Sequence, residues 1–453
     1  MRDFSKTAFA GAAILLGSAA IFGAGMYAGA TRNIAYRAVT GFADLFRSVL
    51  AEKDNIGPAA RPVYFLQPAR QAGAGVTLND TTDDSLILLA GFFDGSNGMR
   101  LIRRDGTVLA KWDLSFAALF PQPDYLETPP KTDWNIDLHG SLIEPDGSVV
   151  FNFEYGGLAR LSRCGAVEWT LRHPTHHSVE PANGGGYWVP GRQFVPNSPE
   201  GGAFPPFTAN ANYETSEDDL ILKVSAAGEI VAQHSVTQMF YESGLEAVLT
   251  ATGVNYGRGA RWPREIVHVN KIAELTPELA PAFPMFEAGD LLISLRQQNL
   301  VAVVDPDDWR IKWHMVGPWL RQHDPEFAPD GTIHVFNNNH YRFVLESSGR
   351  ADPSIERRST IMAVDPATDA VTTLYGGRPG QEFGTVIRGK QQLMPGGGTL
   401  VTEFEAGRAF EVDASGRTVW EYVNRFDEDE VAELTEVRAY PAQAFGVSDW
   451  SCP

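Results

Sequence analysis

Cysteine is almost absent from this 453-residue chain: there are two, Cys164 and Cys452, and neither belongs to a CxxC pair. That excludes a cysteine-rich zinc site and a dithiol redox motif of the usual spacing. In an exported chain one disulfide between them would pin the tail, but the sequence does not fix their separation in space and the pairing stays open. Positive charge is scarce too: 37 Lys and Arg against 56 Asp and Glu leave a formal net charge of −19, with no basic run to offset it. Such a field repels phosphate backbones and argues against nucleic acid as a partner. An anionic substrate must then be held by a local cluster of positive or hydrogen-donating groups. Disorder is excluded, because a chain with 43% apolar and 21% charged residues can bury a large core.

A long hydrophobic run opens the chain. From Thr7 to Thr31 there is no charge, and a helix of about 25 residues is long enough to cross a bilayer. We expect an uncleaved membrane anchor over residues 1–31; the alternative is a signal peptide, with Ala28-Gly29-Ala30 as its cleavage site. Ala35, Val39, Phe42, Phe46 and Val49 then recur at helical spacing, predicting a short amphipathic helix within 32–57, at the membrane surface or packed on the main domain.

Beyond Pro58 the helical period gives way to short β-rich runs broken by tight turns. Asp105-Gly106, Asp146-Gly147 and Asp330-Gly331 each lead into an apolar strand, and turn-strand-tryptophan units recur as GTVLAKW, GAVEWT, WRIKW and GRTVW. Small antiparallel units repeating at ~40–50 residues mark a β-propeller. Six units start near Ser85, Asp137, Thr175, Glu265, Gln322 and Gly384, with long insertions between Pro190 and Arg264. The expected fold is all-β: a six-bladed propeller over 58–453, preceded by the two helices. Histidines lie near unit starts or inner runs, namely His139, His177, His268, His323 and His340, and Arg296 joins them. Blade starts converge on the axis, so these side chains can meet without a local motif.

HHSVEPANGGGYWVPGR, VHVNKIAEL with LLISLRQQNLVAVVD, and QHDPEFAPDGTIHVFNNN resemble three signature stretches of arylsulfotransferases, and the likeness runs from about Asp137 to Val423. The resemblance implies a six-bladed propeller outside the cytoplasm; with the anchor expected above, it would be held at the inner membrane by a single pass, and a homodimer is left open. It implies His323 as the group that takes the sulfuryl moiety from an aryl sulfate and passes it to a phenol. His177, His268 and Arg296 would hold the sulfate oxygens, with Asn270 and His139 beside them as substrate-binding residues. Such a transfer has a loose transition state, so alignment and charge neutralisation do the work. Neutral imidazole is nucleophilic near pH 7 and is also a leaving group, and no nucleotide, metal or other cofactor is required. The run TPELAPAFPMFEAG lengthens the stretch between His268 and Arg296, which bears on their relative placement.

Other readings remain. A catalytically silent propeller could serve as a binding module. A histidine metal site is opposed by Arg296 among the imidazoles. The tryptophan turns also resemble those of quinone-dependent dehydrogenases, but the chain is short for eight blades and has no adjacent cysteine pair. Trp188, Tyr187, Phe204, Phe207, Tyr213 and Tyr256 could be core or a lid over a phenolic ring, and Asp427 to Glu430 is most simply a solvated turn.

Overall fold

A computed structural model describes residues 2–31, 60–198, 213–250, 264–340 and 359–452. The chain forms two units, Met1–Val63 and Tyr64–Pro453. In the first, Arg2–Thr31 is one helix. It does not support the expected membrane span: among the described residues no helix is long and apolar enough to cross a bilayer. Alanine and glycine recur through AFAGAA and GAGMYAGA, and such small side chains gain little on leaving water. The amphipathic helix expected within 32–57 lies outside the described residues.

The second unit is a six-bladed β-propeller. The second blade runs outward through Leu138–Ile143, Val149–Phe153, Gly157–Leu161 and Val167–Leu171. The third runs through Glu180–Pro181, Tyr187–Pro196, Thr215–Val224 and Ile230–Ser235. The fourth has Val269–Glu274, Leu291–Leu295, Leu300–Val304 and Ile311–Val316. The fifth has His323–Phe327, Ile333–Asn337, Thr360–Asp365 and Ala370–Gly376. The sixth has Lys390–Met394, Gly398–Glu403, Arg408–Val412 and Thr418–Val423, with Gly75–Asn79 added outside. The first blade is built from both ends of this unit: Leu434–Tyr440 is its inner strand, followed outward by Leu86–Phe93, Ser96–Arg103 and Val108–Leu114. This closure, absent from the sequence reading, lets backbone hydrogen bonds lock the ring.

Burial follows position in the blade. Leu86–Phe93, Leu291–Leu295 and Leu300–Val304 are buried at every residue, so they read as continuous apolar runs. The outer strand Val108–Leu114 alternates exposed with buried, because only one face meets a neighbour.

The tryptophan repeat has a mechanical meaning. Trp112, Trp169, Trp313 and Trp420 sit on the fourth strands of their blades, and each indole N–H donates to the turn between the third and fourth strands of the next blade. The acceptors are the Ser162, Ala226 and Arg104 carbonyls for Trp112, Trp169 and Trp420, and Asp369 Oδ1 for Trp313, at 2.9–3.2 Å. Where the tryptophan is missing, His234 of the third blade stacks on Trp309 of the fourth, with ring centroids 4.5 Å apart. Trp420 is fully buried. Trp420→Phe keeps a ring but strands the Arg104 carbonyl, so chemical denaturation should show a loss of about 1–3 kcal/mol. Trp169→Phe, at a partly exposed bond, should cost less.

The two cysteines are paired, with Cα atoms 5.6 Å apart and 288 residues between them in sequence. The bond fixes a tail whose Phe445 and Trp450 pack against the core of the first two blades. Removing it by Cys452→Ser should cost about 2–4 kcal/mol, chiefly by freeing the unfolded chain, and thermal melts with and without reductant would show it.

Candidate active site

Innermost strands all leave the same face of the ring, and the sequence-selected residues gather where they begin. His139 is the second residue of Leu138–Ile143 and His323 the first of His323–Phe327. His177 precedes Glu180–Pro181, and His268 precedes Val269–Glu274. All four imidazoles are buried. The His139 and His177 rings lie 3.8 Å apart between centroids, His177 and His268 4.7 Å, and His177 and His323 6.1 Å. This approach needs Gly140: a Cβ there would sit 2.7 Å from Ser178 C and Val179 N and collide with the His177 carbonyl oxygen. His177 itself is left-handed, at φ 58°, as are Tyr155, Arg321, Asp324 and Arg388 nearby. Non-glycine residues reach that region at a cost of about 1–2 kcal/mol each, and such strain gathers where a site is over-determined by its surroundings.

Arg296 keeps its place despite the inserted run. Its N–H donates to the His268 carbonyl at 2.9 Å, beside the Val269–Leu295 pair. The insertion is absorbed in the hairpin loop at the other end of those strands, around Ala280–Ala282. Arg296 Nε is buried with no partner among the described residues, and its Nη2 is 4.0 Å from Glu265.

Hydrogen bonds fix the tautomers. Glu265 accepts from Arg192 at 2.6 Å and from Gln297 at 2.7 Å, and it lies 2.8 Å from His268 Nδ1. Burial works to raise its pKa, but His268 and Arg192 outweigh that and hold the carboxyl well below the usual range. A carboxylate only accepts, so His268 Nδ1 carries the proton and its Nε2 the lone pair. His177 Nε2, 3.1 Å away, must then donate, leaving its Nδ1 to accept from His176 Nδ1 at 2.7 Å. His268 is pulled down to about 4 by burial and then by Arg296. His177 is lowered by burial and by its imidazole neighbours. Both are therefore neutral at pH 7 with every ring nitrogen engaged.

His323 is arranged differently. Its Nδ1 faces Asn338 Oδ1 at 2.7 Å and the Arg321 carbonyl at 3.0 Å. Asn338 is held in that orientation because its NH₂ donates to the Thr385 and Arg388 carbonyls. Two acceptors at Nδ1 place the proton there, so Nε2 bears the lone pair, and it has no hydrogen-bond partner among the described residues. Burial, then Arg296, keeps the ring neutral. Asn270 uses an amide N–H to hold the Gln322 carbonyl at 2.7 Å, which fixes the backbone just before His323. Both nitrogens of His139 are without a hydrogen-bond partner among the described residues. His340 is buried two residues beyond Asn338.

Among the described residues, the group placed to hold a metal ion is not imidazole: it is Glu180, Asp324 and Glu326, with ligand atoms within 4.8 Å of one another. The Lys271 ammonium is already bonded to all three, at 2.7, 3.0 and 2.6 Å. Asp427 accepts from the backbone of Asp429 and Glu430, an ordinary turn. Tyr187 and Trp188 are buried in the third blade and bonded to Glu144 and Glu274, which makes them core rather than lid. Phe204, Phe207 and Tyr256 lie outside the described residues.

The family model for arylsulfotransferase (ASST) matches residues 138–425, more than half of the chain. The chain belongs to the arylsulfotransferase family. The matched span of this arylsulfotransferase-family protein contains His139, His177, His268, Asn270, Arg296 and His323, and the family's general chemistry is sulfuryl transfer. No curated protein matches it. Solved structures are similar to it at low identity. A Bacteroides caccae protein of unknown function is 11% identical over 79% of this chain and 99% of that one, with a TM-score of 0.46. Virginiamycin B lyase from Staphylococcus aureus is 12% identical over 80% and 88%, at 0.39.

Sequence reasoning missed Glu154, Glu265, Asn338 and Arg388, which carry no motif. Arg388 reaches across to Asp137 and to Glu154, 3.0 Å away. Glu265 and Asn338 had one signal, their nearness in sequence to His268 and His323.

Proposed function

We propose that this protein transfers a sulfuryl group from an aryl sulfate to a phenolic acceptor, with His323 as the group that carries it between the two. The observation behind this reading is the His323 imidazole: neutral, fixed at Nδ1 by Asn338 and Arg321, and with an unpartnered Nε2 lone pair at the axis. Imidazole so disposed can attack sulfur without a base and later leave. Arg296 supplies a lasting positive charge beside it with a planar donor fork. His177 and His268, bonded to each other, brace His139 and Arg296; to hold sulfuryl oxygens themselves they must exchange those bonds on binding.

The disulfide supports placing the propeller in an oxidising compartment, outside the cytoplasm. The exposed Ile14, Leu15, Ile21 and Phe22 of the N-terminal helix support a membrane surface as its partner. Fractionation of cells in low-salt buffer near neutral pH tests that association, and recovery of all the protein in the soluble fraction would end it.

The activity is tested by incubating the purified full chain with a panel of aryl sulfates and phenols, without nucleotide. Turnover that needs both substrates and no added metal is the expected result. Absence of turnover with every pair would favour the silent binding module.

A further inference from the structure

Transfer to a histidine releases a phenol, and that phenol needs a proton. None of the four axial imidazoles is suited to keep one in reserve: burial first, then the cations and imidazoles around them, hold His139, His177, His268 and His323 below their ordinary range. The ring nitrogens of His177 and His268 are also committed to each other and to their neighbours. His139 stands apart. Its ring is 3.8 Å from that of His177 and tilted 35° to it, both its nitrogens are without a hydrogen-bond partner among the described residues, and its Nδ1 is 3.9 Å from Glu154 Oε1. Glu154 directly follows the second strand of the same blade, with its side chain partly exposed.

We infer that Glu154, acting through His139, stores the proton that passes between the two half-reactions. This rests on the sulfuryl-transfer reading above. In the first half, His323 Nε2 forms a bond to sulfur as the sulfur–phenol oxygen bond breaks. His139 Nε2–H gives its proton to the departing oxygen, and His139 Nδ1 takes one from the Glu154 carboxyl. The products are a neutral phenol, a sulfated His323 still protonated at Nδ1, and a Glu154 carboxylate, so charge is conserved. In the second half, the acceptor phenol attacks sulfur, the Nε2–sulfur bond breaks, and the acceptor's proton returns through His139 to Glu154. The 3.9 Å gap is closed by a side-chain rotation or one bridging water, as is common before substrate binds.

The surroundings of Glu154 suit a reservoir. Asp137 and Glu154 flank the same guanidinium, Arg388, and two carboxyls so placed are unfavourable as a doubly ionised pair. Glu433, from the approach to the first blade's inner strand, and Tyr64 add to the negative or ionisable surroundings, Tyr155 adjoins in sequence, and Arg296 opposes from the fourth blade. Burial, then Asp137, pushes Glu154 up to about 7 against the pull of Arg388. The carboxyl holds its proton below that pH and loses it above, so the reservoir empties as pH rises through 7.

The test is rapid-quench measurement of phenol release from the full chain, using aryl sulfates of graded leaving-group basicity. A wild-type burst with para-nitrophenyl sulfate must come first; its absence overturns this proposal together with the sulfuryl-transfer reading. With the burst in hand, Glu154→Gln should slow release of phenol from phenyl sulfate about 100-fold more than release of nitrophenol, because only the more basic oxygen needs the proton. Asp137→Asn removes the neighbouring charge and should move the high-pH fall in phenyl sulfate cleavage to lower pH. Equal losses across leaving groups in Glu154→Gln, or an unmoved pH limb in Asp137→Asn, would overturn the role of Glu154 and leave His323 standing.

Discussion

Exchange of His323 for asparagine is expected to abolish the release of phenol that follows mixing with an aryl sulfate in the absence of acceptor. The wild-type protein should give about one equivalent per site, since the first half-reaction stops when Nε2 is occupied. Asparagine preserves a polar side chain of similar reach but has no nucleophilic nitrogen, so the rate should fall by on the order of 10⁴-fold or more. The melting temperature should change little, because the ring's protein partners are Asn338 and one carbonyl. Asn338→Leu is the sharper companion. It leaves the nucleophile in place but releases its tautomer, and a loss of roughly 10²-fold with folding intact would show that the proton on Nδ1 matters. A full burst from His323→Asn would remove this residue as the carrier. Mass spectrometry of the trapped wild type belongs in alkaline solution, since a sulfuryl group on imidazole is acid-labile.

The largest effect on stability should come from Lys271→Met. Lys271 is fully buried, and its three N–H donors meet Glu180, Asp324 and Glu326 from two neighbouring blades. Removing the ammonium leaves three carboxyls facing one another with no cation between them. Breaking one buried pair costs about 3–5 kcal/mol, and the variant should lose at least that at pH 7 in urea titrations. The pH dependence has a definite sign. Burial works against ionisation of Glu180 and Asp324, but Arg438 and Lys271 prevail and hold Glu180 at about 2 and Asp324 lower still. Groups depressed in the folded state contribute stability above their unfolded pKa, near 4, and lose it as pH falls toward 2. Wild type should therefore weaken through that window, while the deficit of Lys271→Met shrinks as its carboxyls take up protons. Glu326 runs the other way: burial raises it to about 7, so its contribution is present below about 4 and fades as pH rises through 7. A deficit that stays constant from pH 7 to pH 3 would show that lost packing, not charge, is responsible.

The fold was legible where it repeats. Blade starts expected at Asp137 and Gln322 fall within a residue of strands beginning at Leu138 and His323, because a turn followed by an apolar strand is a local event. The first blade was not legible as drawn. Its inner strand lies some 340 residues from the strand it pairs with, at Leu434 against Gly91, and no local pattern reports such a partner. The site divides in the same way. Histidines at equivalent blade positions announced a shared axis, and Arg296 held its register because the insertion before it was confined to a hairpin loop. Glu154 and Arg388 are separated by 234 residues and gain their meaning only from that contact. The tryptophan turns were visible as a repeat, but their hydrogen bonds to the following blade are a property of the closed ring.

That ring is finished late. Leu434–Tyr440 is synthesised some 340 residues after the strand it pairs with, Leu86–Phe93, yet it is the axial strand of the blade to which both belong. Until it emerges, the first blade has no axial edge, and Glu436 cannot take its hydrogen bond from the Ser141 backbone across the seam. A nascent chain can pre-assemble blades in order, but the constellation of imidazoles has no closed wall around it until Leu434–Tyr440 has been made. Products that end before residue 434 should accumulate as open arcs with exposed strand edges, prey to proteases and to pairing with one another.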